Sequence, residues 1–80
     1  MFTIYGKDSC PYCVKARFYL LSLNVNLIEY NIERDKSKRD EMLIKSGGST
    51  GVPLIDIEGI IIRGYNPEAY GVAIEQRRSL

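Results

Sequence analysis

Two side chains in this chain are able to exchange electrons, and they stand two residues apart. Cys10 and Cys13 are its only cysteines, held in the stretch Lys7-Asp8-Ser9-Cys10-Pro11-Tyr12-Cys13. A Cys-x-x-Cys at a strand-to-helix turn reads as a dithiol redox site. A thiol attacks a disulfide only as its thiolate, so the chemistry depends on lowering the pKa of one cysteine. Cys10 falls at the start of a helix, where unpaired backbone N–H groups and the dipole favour negative charge. Lys7, three residues earlier, adds a positive charge. Thiols in such surroundings fall to roughly 3.5–7.5, against about 8.5 for a free one. Cys13 lies one turn further in, on the same face by its i, i+3 spacing, and is expected to be more buried. Cys10 is therefore read as the nucleophile and Cys13 as the resolving residue.

The rival chemistry is metal binding. Structural zinc takes four ligands, whereas the chain supplies two cysteines and no histidine. No metal is expected within one chain, and a zinc or cluster shared between two chains is the remaining form of that reading. Inert core cysteines fit poorly, because the intervening Pro-Tyr marks an exposed turn.

The flanking segments read as the elements that hold this turn. Phe2–Tyr5 is an aromatic and β-branched strand ended by Gly6. Pro11 suits a first helical turn, and the helix runs to about Leu23 with Val14, Phe18 and Leu21 as its apolar stripe. Leu27–Ile32 is a second strand, parallel to the first because a helix lies between them. The charged stretch Glu33–Glu41 reads as a solvated helix face, with a ligand-contacting role for one of its basic residues as the alternative. Met42, Leu43 and Ile44 give that helix its apolar contact, and Gly47-Gly48 end it. Val52–Ile57 and Ile60–Ile62, joined at Glu58-Gly59, form an antiparallel hairpin. Asn66-Pro67 opens a last helix through about Gln76, with Arg77 and Arg78 at the negative end of its dipole. The order is β-α-β-α-β-β-α: an α/β domain with a four-stranded mixed sheet flanked by three helices.

Composition bounds the rest. Eighty residues with 45% hydrophobic content make one small packed domain. A net charge of +1 gives no electrostatic case for nucleic acid or an anionic membrane. No apolar run approaches the roughly 20 residues of a spanning helix. The chain enters a strand at once, without a secretory leader, so a cytoplasmic monomer is expected. The tyrosines, Tyr12 and Tyr65 apart, read as packing residues.

Cys10-Pro11-Tyr12-Cys13 resembles the active site of dithiol glutaredoxins, whose fold is the thioredoxin fold. Lys7 stands where that family has its basic residue. Val52-Pro53 is similar to the family's Val-Pro pair, whose proline is cis and lies beside the cysteines. Gly64-Tyr65 is similar to the glycine turn that opens the last helix. The resemblance implies glutathione as reductant and cosubstrate, with protein disulfides and glutathionylated proteins as substrates. Val52 would pair its backbone with the glutathione cysteinyl unit, and Pro53 would fix that loop. Lys7 would meet a glutathione carboxylate and Tyr12 would flank the bound sulfur. The turn at Gly64, with the N–H groups of Tyr65 and Asn66, would hold the γ-glutamyl carboxylate. Two departures point elsewhere. Gly51 replaces the threonine often found before Val-Pro, and Asn66-Pro67-Glu68 replaces the usual aspartate after the turn. That pattern is similar to the glutaredoxin-like redoxins that are reduced by thioredoxin reductase and serve ribonucleotide reductase. A related subgroup carries selenocysteine at the position of Cys10.

Overall fold

β1 (Phe2–Gly6) and β2 (Leu27–Asn31) run parallel, with Ile4 opposite Glu29 and Gly6 opposite Asn31. A parallel pair needs a crossover, and α1 (Pro11–Ser22) supplies it. α2 (Lys36–Ser46) then leads to β3 (Leu54–Ile57) and β4 (Ile60–Arg63), and α3 (Pro67–Arg78) closes the chain. β3 pairs antiparallel with β1 and with β4, giving the sheet order β2-β1-β3-β4. The computed structural model describes residues 1–78. The element order and the thioredoxin-type architecture are those expected from the sequence.

Side-chain alternation divides the core between the two faces of the sheet. Phe2, Ile4, Ile55 and Ile57 point to one side and meet Ala16 and Leu20 of α1 and Tyr70, Ala73 and Ile74 of α3. Tyr5 and Leu54 point to the other side and meet Met42 of α2 and Ile32. α2 is also held by a polar cluster under the sheet. The Tyr5 hydroxyl donates to Glu41, and Lys45 Nζ reaches Tyr5 Oη at 2.7 Å and Asp56 Oδ2 at 2.6 Å. Lys38 closes the cluster at 3.0 Å from Glu41. Burial, then the bond to Glu41, push the Tyr5 hydroxyl up. The hydrogen bonds from Tyr5 and Lys38 hold the Glu41 carboxyl down to about 2.

The helix ends follow their local chemistry. Asp35 caps α2 by accepting the Lys38 N–H at 3.2 Å, and Gly47 ends it at φ 74°, a backbone shape that favours glycine. Asn66 Oδ1 accepts the Ala69 N–H at 3.1 Å ahead of Pro67. Glu58 and Gly59, with φ of 49° and 99°, make the two-residue hairpin turn.

Four expectations need correction. The buried face of α1 is Cys13, Ala16 and Leu20, while Phe18 and Leu21 are 64% and 50% exposed. On α2, Met42 is buried but Ile44 is exposed, since three consecutive helical residues cannot share one face. The charged stretch before it is not all helix: residues 32–34 form a turn and the helix begins at Lys36. The sheet pairing of the second and third strands is also shorter than expected, ending at Asn31 and beginning at Leu54.

Candidate active site

The site forms beyond the carboxyl ends of β1 and β2, the end at which open α/β sheets bind ligands. Cys10 is the N-cap residue of α1, with an extended backbone and Pro11 as the first helical residue. Its Sγ accepts the backbone N–H of Cys13 at 3.1 Å, in the position where a capping oxygen usually sits. The sulfur thus faces the positive end of the helix dipole, as the nucleophile assignment requires. The two cysteines form a disulfide, with Cα atoms 5.2 Å apart. They differ in access: Cys10 is 9% exposed and Cys13 1%.

Gly6 explains the burial of Cys13. A Cβ at Gly6 would lie 2.9 Å from Cys13 Sγ and 3.3 Å from Cys13 Cβ, so the strand end needs a glycine for the cysteine to pack against it. In the sequence Gly6 marks only the end of a strand. The signal was there in its position, one residue before the Lys7 that opens the motif.

Val52-Pro53 is a cis peptide bond, as the resemblance implied. Pro53 is buried, and Val52 is half-buried just ahead of the point where β3 begins to pair with β1. The Pro53 carbonyl accepts the Gly64 N–H at 2.8 Å. Gly64 has φ 79°, and its carbonyl accepts the hydroxyl of the fully buried Tyr70. Burial pushes that hydroxyl up to about 12, so it remains a donor at neutral pH. The proline loop, the glycine turn and α3 are thereby tied together. The Tyr65 ring stacks on Tyr12, centroids 6.2 Å apart and planes 25° from parallel, and meets Tyr70 edge-on at 6.3 Å. Tyr12 is 56% exposed and Tyr65 half-buried against the core, so one face of the motif carries an accessible ring backed by a second.

Lys7 accepts the Cys10 N–H on its carbonyl at 3.3 Å. Its side chain borders a hollow of about 330 Å³ together with Ile32, Glu33, Arg39 and Thr50. Arg39 and Thr50 were not singled out by the sequence; Arg39 is one of the basic residues of the charged stretch. Gly51 is exposed and donates its N–H to Ser49 Oγ at 3.1 Å. Glu68 does not join Lys7. It borders the hollow between β4 and α3 with Ile60, Ile62 and Val72. Cys10, Cys13, Tyr12, Tyr65, Pro53 and Gly64 are therefore one assembly, with Lys7 and Arg39 on its flank.

The sequence over residues 2–62 matches the family model for glutaredoxin. The chain belongs to the glutaredoxin family. It is 40% identical over 76 residues to a glutaredoxin-like 8.6 kDa protein in a rubredoxin operon of Clostridium pasteurianum, covering 95% of this chain and all of that one. It is 44% identical to Glutaredoxin 3 of Escherichia coli over 61 residues, 76% of this chain and 72% of that protein. Its fold superposes on a glutaredoxin from Archaeoglobus fulgidus with a TM-score of 0.82 over 91% of this chain and 84% of that one, at 24% identity. Family membership makes the Cys10–Cys13 pair of this glutaredoxin a thiol–disulfide redox centre. Among the described residues, no helix is long and apolar enough to cross a membrane. No group of three or more metal-ligating His, Cys, Asp or Glu side chains occurs among them either.

Proposed function

We propose that this glutaredoxin is a cytoplasmic, glutathione-dependent oxidoreductase that reduces protein disulfides and glutathione mixed disulfides. The observation that carries the reading is the helix-capping position of Cys10 Sγ above a buried Cys13. Cys10 attacks as thiolate, the substrate thiol leaves, and Cys13 or a second glutathione resolves the mixed disulfide. Val52, outside the paired part of β3, offers its backbone to an extended tripeptide. Lys7 and Arg39 suit the terminal carboxylate of that tripeptide. The Tyr12–Tyr65 pair forms the apolar wall beside the bound sulfur, and the N–H groups of Tyr65 and Asn66 face the γ-glutamyl end.

A second reading keeps the reaction and makes thioredoxin reductase the electron donor. What favours it is Gly51 before Val52, together with Asn66-Pro67-Glu68 in place of the usual aspartate after the turn.

One experiment separates them. Oxidised protein, NADPH and hydroxyethyl disulfide are combined either with glutathione and glutathione reductase or with thioredoxin reductase alone. Turnover only in the first mixture supports the glutathione reading, and turnover only in the second replaces it. Cys10→Ser is expected to abolish activity, whereas Cys13→Ser retains reduction of glutathione mixed disulfides. An active Cys10→Ser variant would overturn both readings.

A further inference from the structure

β4 ends one side of the sheet, with no strand beyond it among the described residues. Edge strands ordinarily carry a charge, a proline or a bulge that discourages further pairing. The opposite edge, β2, has Glu29 at its centre, whereas Ile60-Ile61-Ile62 of β4 has no such device. Its register with β3 runs unbroken from Ile60 to Arg63. The two-residue turn makes Ile57 and Ile60 a hydrogen-bonded pair, so the backbone groups of Ile60 and Ile62 point inward to β3. The Gly64 N–H keeps that alternation by bonding to Pro53. The N–H and C=O of Ile61 therefore point outward.

Beside this edge a hollow of about 440 Å³ runs between β4 and α3. Ile60 and Ile62 border it from the strand, and Glu68, Ala69, Val72 and Gln76 from the helix. Val72 is 60% exposed. The ends of α3 carry opposite charges, Glu68 in its first turn and Arg77 with Arg78 in its last. α3 runs back along β4, since Arg77 Nη2 lies 3.5 Å from the point where a Cβ at Gly59 would stand. Neither Glu68 nor Arg77 makes an ion pair among the described residues, and Arg77 Nε is buried without an acceptor.

We propose that β4 pairs antiparallel with β4 of a second copy of this chain, on a twofold axis at Ile61, with α3 beside its counterpart. Opposite residues in an antiparallel pair share a face, so a symmetric pairing must centre on one residue. Centred on Ile61, it joins the outward N–H and C=O of both copies in mutual hydrogen bonds. Ile60 of each copy then faces Ile62 of the other on the α3 side, where both already pack against the core. The two hollows meet across the axis, and Val72 of each copy loses its exposure there. Because the helices run antiparallel, Glu68 of one copy approaches Arg77 of the other, twice. Glu58, the acidic neighbour of Gly59, is already paired with the N-terminal amine at 3.2 Å. An apolar centre with a charged rim is the anatomy of a specific interface, and self-complementarity is what a twofold requires. A foreign strand would find the same edge without the matching charges; a copy of the chain supplies both. The carboxyl end of β4 lies toward the cysteines through the bond of Gly64 to Pro53, so the two active sites face opposite ends of the dimer. The inference is therefore independent of which reductant serves them.

Sedimentation equilibrium of the reduced protein, with chelator present, is followed as concentration rises, and amide exchange is read by NMR on the same samples. The chain is expected to pass from monomer to dimer. The Ile61 N–H should exchange more slowly as it does, while the Ile62 N–H, already bonded to β3, changes little. Glu68→Arg or Arg77→Glu alone should weaken association about tenfold, because symmetry repeats each reversal at two contacts. The double variant Glu68→Arg/Arg77→Glu should recover most of that loss, which a general disturbance of the surface would not allow. A chain that stays monomeric at its highest soluble concentration overturns the proposal. So does a dimer that leaves Ile61 exchange unchanged, ignores both reversals or is not rescued by the double variant. A dimer seen only when reductant or chelator is left out is joined at the cysteines and overturns it as well.

Discussion

Replacing Gly6 by alanine would place a methyl group 2.9 Å from Cys13 Sγ and 3.3 Å from Cys13 Cβ. Comfortable contacts between such atoms begin near 3.5 Å. Gly6 does not lie in the left-handed region, so alanine is allowed by the backbone and the cost is purely steric. Overpacking of this kind costs about 1–3 kcal/mol, and the stiffer unfolded chain returns about 0.4–1 kcal/mol. A net loss of about 1–2 kcal/mol lowers the melting midpoint of a domain this size by roughly 4–16 °C. The loss should differ between redox states. In the reduced protein the Cys13 thiol can turn to another rotamer, whereas in the disulfide its sulfur is tethered to Cys10. The oxidised form therefore suffers more, and the disulfide becomes easier to reduce, by about 30 mV for each 1.4 kcal/mol of difference. Thermal unfolding of both forms and a redox titration against glutathione buffers measure these quantities. Midpoints within about 2 °C of wild type in both forms, or a greater loss in the reduced protein, would refute the packing argument.

Three further outcomes are expected. Met42→Ala, at a fully buried position, should cost about 2–5 kcal/mol in urea unfolding, whereas Ile44→Ala, at 84% exposure, should stay within about 0.5 kcal/mol. The Glu41 carboxyl lies lower in the folded chain, at about 2, than its ordinary 4.5, so its bonds stabilise fully above pH 4.5 and are lost as pH falls toward 2. Because that side chain is 38% exposed, Glu41→Gln should cost no more than about 1 kcal/mol at pH 7. Its denaturation curve should merge with wild type near pH 2, and a gap constant across that window would contradict the assignment. Tyr70→Phe removes the hydroxyl donated to the Gly64 carbonyl and should cost about 0.5–1.5 kcal/mol by the same measurement. A variant as stable as wild type would mean that the turn does not depend on this bond.

The sequence disclosed what is encoded locally. Pro11 after Cys10, Asn66-Pro67, Gly47-Gly48 and Glu58-Gly59 each combine residue types with few backbone options, and each stands where a cap or turn was expected. The two cysteines and the Val52-Pro53 pair were legible for the same reason. The facing of α1 was not. Apolar residues occur around most of that helix, and the larger ones, Phe18 and Leu21, suggested a stripe that is in fact exposed. Packing Cys13 against Gly6 turns the small face, Ala16 with Leu20, toward the sheet. Contacts between distant segments were equally silent. Tyr5 with Glu41, Arg17 with Glu29, and Gly64 with Pro53 are paired only once the sheet has formed.

The unequal exposure of the two sulfurs constrains traffic through the protein. When the pair is oxidised, an incoming thiolate finds only Cys10 within reach. When the pair is reduced, the sulfur that meets a substrate disulfide is again Cys10. Donor and acceptor must therefore use the same door in turn, each leaving before the other enters. Kinetics measured with both varied should give the parallel lines of a ping-pong scheme, and an excess of either partner should obstruct the other.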